Sequence, residues 1–154
     1  MKEIVEALVE HCGEHGVKDE DVSIAVITPY AEQVALIRSE LKDVIGNSGK
    51  VRLTLEDVAS VDKFQGGERD VVIASFVRSP KPNAYAPKLT FVHDLKRMNV
   101  AFSRARKMLI LVGDINALST GLGAEDGRKA FEKFHRVART TGREILAWER
   151  KASQ

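Results

Sequence analysis

Three runs of apolar residues decide what this chain can fold into: Val22-Ser23-Ile24-Ala25-Val26-Ile27, Val71-Val72-Ile73-Ala74-Ser75-Phe76-Val77 and Met108-Leu109-Ile110-Leu111-Val112. A strand with one wet face alternates polar and apolar residues. These runs do not alternate, so each is expected to be covered on both sides, as in a parallel sheet between two layers of helices. Segments of helical period separate them. Ile4, Val5, Leu8, Val9 and Cys12 recur at helical spacing before Gly16, which predicts a helix over 2–15. After the acidic loop from Lys18 to Asp21 and the first strand, Thr28-Pro29 predicts a helix start with Thr28 as N-cap and an apolar face of Val34, Ile37, Leu41 and Val44. Gly46 to Gly49 is a loop. The stretch Val51 to Val61 alternates imperfectly and predicts a strand somewhere within it. Residues 79–90 hold three of the four prolines and are expected to be an irregular connection. A helix is expected from about Asp94 to Arg106, and a later one carries Phe131, Phe134 and Ala138 on one face before the apolar run Ile145 to Trp148.

The fold class is therefore α/β, with a mainly parallel central sheet. At 154 residues, one domain over 1–154 is the expectation. A net charge of +2 excludes a uniformly basic nucleic-acid binder, so any basic surface is local. The single cysteine, Cys12, excludes an internal disulfide and points to a reducing compartment, cytoplasmic, or nuclear in a eukaryote. No apolar run approaches the ~20 residues of a membrane span, and the N-terminus lacks the apolar core of a signal peptide.

Hydrolysis of ATP needs a Gly-rich loop ending in Gly-Lys-Ser/Thr, and a strand-end acid for magnesium. The nearest approach, Gly46-Asn47-Ser48-Gly49-Lys50-Val51, is too short between its glycines and has valine where the metal-binding hydroxyl belongs. It is a turn. Asp114 follows an apolar strand, but Gly-Asp after a strand is more often a turn as well. The chain lacks its own phosphate loop and is expected to be inactive alone. His11 and His15 have i, i+4 spacing without a visible third ligand, so no metal site is assigned. Lys129, Lys133, Arg136, Arg139 and Arg143 make a charged outer face of the last helix.

Three further segments carry chemistry. Ile27-Thr28-Pro29-Tyr30-Ala31-Glu32-Gln33 joins a strand to a helix, Ser60-Val61-Asp62-Lys63-Phe64-Gln65-Gly66-Gly67-Glu68-Arg69-Asp70 precedes the next apolar strand, and Arg97-Met98-Asn99-Val100-Ala101-Phe102-Ser103-Arg104-Ala105-Arg106 precedes another. On a continuous helix Arg97, Ala101 and Arg104 form one row beside a core stripe of Met98, Phe102 and Ala105, with Arg106 turned nearly the opposite way. The N-terminus of a helix at Thr28 favours an anion, although Thr-Pro is equally a plain N-cap pair.

Together the three segments resemble motifs IV, V and VI of superfamily 1 helicases, in particular the up-frameshift family, over about residues 22 to 114. The resemblance implies a three-layer RecA-like domain, the second of two motor domains. Arg104, with Arg97 beside it, is then the catalytic arginine finger. Gln65, Gly66, Gly67 and Glu68 form a nucleotide-binding loop, in which Gln65 senses the γ-phosphate side and Glu68 meets the ribose or the water shell of magnesium. Thr28, Pro29, Tyr30, Gln33 and Ser60 are implied to contact the backbone of single-stranded DNA or RNA. ATP with Mg2+ is implied to be held mainly by a first RecA-like domain of the same parent chain, which makes this chain a fragment. Ser103 stands where the family commonly has threonine, Gly67 takes a variable position, and the family's Tyr-Arg pair ahead of motif IV is absent. The alternative is a stand-alone nucleic-acid or partner-binding module with a RecA-like fold and no ATPase activity.

Overall fold

A computed structural model describes residues 1–14, 22–45, 51–64, 67–76, 94–120 and 124–142. Gly16, the acidic loop, the turn at Gly46–Lys50, Gln65, Gly66, residues 79–90 and the run Ile145 to Trp148 lie outside them. The elements are α1 (Lys2–Glu14), β1 (Val22–Thr28), α2 (Ala31–Ile45), β2 (Val51–Arg52), a 3-10 turn (Leu55–Asp57), β3 (Val58–Ser60), β4 (Arg69–Phe76), α3 (Leu95–Phe102), β5 (Ala105–Gly113), α4 (Ile115–Thr120) and α5 (Glu125–Thr141). Two compact units are formed, one from Met1–Arg78 with Lys96–Asp114, the other from Ser79–Leu95 with Ile115–Gln154.

The first unit contains the sheet. β1 pairs β4 and β4 pairs β5, both parallel, while β2 and β3 both pair β1 in parallel. β3 meets Val26–Thr28, a stretch that β4 also pairs in part, so β3 must lie on the other flank of β1. The register Val22↔Val51 becomes Val26↔Val58 across the 3-10 turn. The imperfect alternation of Val51 to Val61 thus corresponds to one edge strand interrupted by a helical turn.

Strand periodicity sends successive residues to opposite faces. Ile24, Val26, Val71 and Ile73 pack with Val5 and Cys12 of α1 and with Ile37, Leu41 and Val44 of α2. Ala25, Ile27 and Val72 pack with Ala59, Val61, Phe64 and Ala101 on the other. Helices therefore cover both faces of β1 and β4, as their unbroken apolar runs required. The third run is not covered as expected: β5, at the edge of the sheet, has no buried residue, and Met108 is 50% exposed. The domain is a three-layer α/β fold of the RecA-like kind. Each fully buried Ile or Val contributes about 1.5–3 kcal/mol. In the second unit α4 packs on α5, where Phe131 is fully buried.

Two boundaries differ from the sequence expectation. α2 begins at Ala31, and its first helical bond runs from the Val34 amide to the Tyr30 carbonyl, so Thr28 is the last residue of β1 and not the N-cap. α3 ends at Phe102, and β5 starts already at Ala105. The Arg104 carbonyl accepts from the Arg69 amide at 2.9 Å, and Arg69 is level with Ala105 in the ladder. Pairing with β4 captures the chain where local propensity would have continued the helix.

Candidate functional site

The early end of α3 changes the geometry of its arginines. Arg97 is on the helix, and its Nε donates to Asp62 Oδ1 at 3.0 Å, at the head of the segment that leads to Gly67. Arg104 lies beyond the helix end, in the turn before β5, so the two do not form the single helical row expected of them. Ala101, placed between them in that row, is buried with Met98. Arg106 is on β5 and faces Asp70 instead.

Arg104 is half-buried, and its Nε is inaccessible to solvent with no hydrogen-bond partner among the described residues. A buried donor left unpaired costs about 1–3 kcal/mol, so such groups are rare unless something else satisfies them. The turn that carries it adjoins the end of the Gln65–Glu68 loop, because Arg69 follows Glu68 directly and bonds the Arg104 carbonyl. Gly67 is half-buried and Glu68 exposed. A Cβ added at Gly67 would stand 3.1 Å from Arg69 Nη1 and 3.9 Å from the Phe64 ring, so the glycine leaves room for that guanidinium.

Asp57 and Arg69 join the site, although the motif reading gave neither a role. Arg69 Nε and Nη2 donate to Asp57 Oδ1 at 2.8 and 2.5 Å, and Nη1 donates to the Glu68 carbonyl at 2.9 Å. The guanidinium lies 5.6 Å from the centre of the Phe64 ring, within cation–π range. A pocket of about 320 Å³ opens beside this pair, lined also by Arg52, Thr54, Glu56 and Lys63. The sequence held one signal for Asp57: a carboxylate inside an otherwise strand-like stretch needs a partner if it is buried.

Asp70 is the second buried carboxylate. Burial raises its pKa, but hydrogen bonds from the Ser23 hydroxyl and amide, a bond from Lys107 and the charge of Arg106 outweigh this and hold it well below the usual carboxylate range. The Ser23 contacts are 2.6 and 3.0 Å, and the Arg106 and Lys107 contacts 3.0 and 3.2 Å.

The residues expected to meet a nucleic acid lie at the other end of the sheet. Thr28 is fully buried and donates through Oγ1 to Gln33 Oε1, while Gln33 Nε2 donates to Ser75 Oγ at 2.9 Å. The Thr28 and Gln33 side chains are thus committed inside the fold, and only the turn they support is available to a strand. Pro29 is buried, and Tyr30 and Ser60 are half-buried. Thr28 and Ser60 are paired at the carboxyl ends of β1 and β3, whereas Arg104 and Glu68 precede the amino ends of β5 and β4. The two sets are separated by the length of β4, roughly 20 Å at the rise of a strand. Gln65 and Gly66 are outside the described residues. Among the described residues no group of three or more His, Cys, Asp or Glu could hold a metal ion, and no helix is long and apolar enough to cross a membrane.

A family profile described as an AAA domain matches residues 1–116. Regulator of nonsense transcripts 1 of Dictyostelium discoideum is 46% identical over 99 residues, covering 62% of this chain and 7% of the relative. The DNA replication ATP-dependent helicase/nuclease JHS1 of Arabidopsis thaliana is 37% identical over 117 residues, 75% of this chain and 8% of the relative. The DNA polymerase alpha-associated DNA helicase A of Saccharomyces cerevisiae is 38% identical over 96 residues, 62% of this chain and 13% of the relative. The chain thus spans 13% or less of the length of these three relatives.

Proposed function

The chain belongs to the AAA domain family, as an up-frameshift-like helicase domain, and from that premise we propose that it is the second motor domain of an ATP-dependent DNA or RNA helicase. All of residues 1–154 belong to that domain on this reading, within a longer parent whose first RecA-like domain holds the phosphate loop. ATP with magnesium, bound mainly by that first domain, supplies the phosphoanhydride that is hydrolysed.

Arg104 is the finger. The observation that supports it is the buried, unpartnered Nε in the turn beside the Gly67–Glu68 loop. A guanidinium is always charged and planar, and its fork matches the equatorial oxygens of a transferring phosphoryl group. In the lone domain its Nε is desolvated without compensation, so no hydrogen bond at Nε opposes the side chain turning out to meet a phosphate oxygen from the partner domain. Arg69, which follows the loop Gln65, Gly66, Gly67 and Glu68, bonds the Arg104 carbonyl, and that loop offers backbone amides and a carboxylate to the same nucleotide. Arg97 acts through Asp62 at the head of that segment. Pro29 and Tyr30, on the turn that Thr28 and Gln33 hold, join Ser60 in contacting the phosphates of a single strand at the opposite end of the sheet. This part also supplies half of the strand-binding track.

Arg104→Ala in the full-length protein is the test. ATP hydrolysis should fall by about 10³–10⁵, the range removed with an arginine finger. Binding of a non-hydrolysable ATP analogue should change little. Normal turnover in the variant would sink the assignment.

A further inference from the structure

We propose that Arg69, clamped by Asp57, is a positioning residue for hydrolysis, setting both the Gly67–Glu68 loop and the backbone of Arg104. The proposal rests on the finger reading of Arg104.

All three guanidinium nitrogens of Arg69 and its backbone amide are engaged, and the far ends of those contacts are what matter. Nε and Nη2 reach Asp57 Oδ1, Nη1 reaches the Glu68 carbonyl, and the backbone amide reaches the Arg104 carbonyl. The face of the guanidinium lies over Phe64, on the other side of the same loop. One side chain thus grips the loop at both shoulders while its amide holds the finger turn. Gly67 lets the guanidinium come this near, since a Cβ there would stand 3.1 Å from Nη1.

Asp57 is itself fixed. Its second oxygen accepts from the Thr54 amide and hydroxyl, both at 2.8 Å, and its side chain is 5% exposed. The 3-10 turn that interrupts the edge strand is what brings this carboxylate to Arg69. Arg69 is 24% exposed, so the pair is largely removed from solvent screening, unlike the exposed Arg97–Asp62 pair. A pair needed for stability alone would not require its arginine to end on the loop and the finger turn. Misplacing a reacting group by about 1 Å costs up to about 100-fold in rate. Loss of the clamp therefore reads out in turnover and not in ATP affinity.

The experiment uses the full-length protein with Asp57→Asn, Arg69→Lys and the double variant. Strand-stimulated ATPase is measured at a temperature where melting curves show every variant folded. Arg69→Lys keeps the charge but loses the fork. The expected result is a fall in kcat of about 10–100-fold in each single variant, with KM for ATP within about threefold of wild type and the double variant no slower than the worse single. Turnover within about twofold of wild type, additive losses in the double variant, or a raised KM with kcat unchanged each overturn the proposal. If Asp57→Asn does not fold, Arg69→Lys carries the same criteria. Arg104→Ala is run alongside: its retention of activity defeats the finger reading itself, whereas an inactive Arg104→Ala beside normal clamp variants defeats the clamp alone.

Discussion

Asp70 keeps its charge in a place where a carboxylate is ordinarily protonated or absent. It is 4% exposed, and the Ser23 groups that hold it come from a position 47 residues earlier in the chain. Its pKa is lower folded than unfolded, so the stability it contributes is fully present above the unfolded value near 3.9 and is lost as pH falls through the folded value. Asp70→Asn should cost roughly 1–3 kcal/mol at neutral pH, because the Ser23 donors then face a weaker acceptor. Chemical denaturation across the acid limb checks this: below about pH 4 the wild type should lose its advantage over the variant. A stability difference that persists unchanged to the lowest pH would refute the role given to its charge. Arg104 shows the reverse condition, a buried donor that has no acceptor among the described residues. The motif pattern singled out Arg104 and gave Asp70 no role, and neither burial nor partner could be read from it.

At the scale of elements, the strands were the most legible part, and the boundaries of α2 and α3 the least. The three apolar runs correspond to β1, β4 and β5; burial on both faces leaves little freedom in composition for β1 and β4, whereas β5 carries its run at the edge of the sheet without a buried residue. The end of α3 was misjudged for a tertiary reason: Ala105 and Arg106 suit a helix, but the ladder with β4 begins there. Thr28 looked like an N-cap, yet its hydroxyl serves a buried chain from β1 through Gln33 of α2 to Ser75 of β4. That chain ties three elements together. Gln33→Leu fills similar space but leaves two buried hydroxyls without their partner, and should lower unfolding free energy by about 1–3 kcal/mol. Urea unfolding measures it, and an unchanged midpoint would show that the network does not hold α2 in place.

For the molecule as a whole, the parallel sheet matters because it separates two kinds of contact by the length of its strands. Ligands of open α/β sheets ordinarily lie at the carboxyl ends of strands. Tyr30 and Ser60 are at that end, whereas Arg104 and Glu68 lie at the amino end, as suits a domain that reaches toward a nucleotide held by another. The proposed roles should therefore separate on mutation. Tyr30→Ala combined with Ser60→Ala should weaken single-strand binding while leaving ATP-analogue binding within about twofold. Arg104→Ala should do neither, acting on turnover alone. Fluorescence anisotropy with a labelled oligonucleotide and with a labelled ATP analogue distinguishes them, and equal losses of both ligands in either variant would contradict the separation.

The sequence by itself determined the α/β class, the doubly covered central strands and the family, because these depend on hydrophobic patterning and on short motifs that survive without knowledge of partners. Only the tertiary structure decided that Arg97 and Arg104 part company, that Thr28 and Gln33 face inward, and that Asp57 and Asp70 each hold an arginine. Such pairings join residues distant along the chain, and their geometry follows from strand register and the end of one helix. Local pattern carries the periodicity of an element, but not which neighbour will stop it.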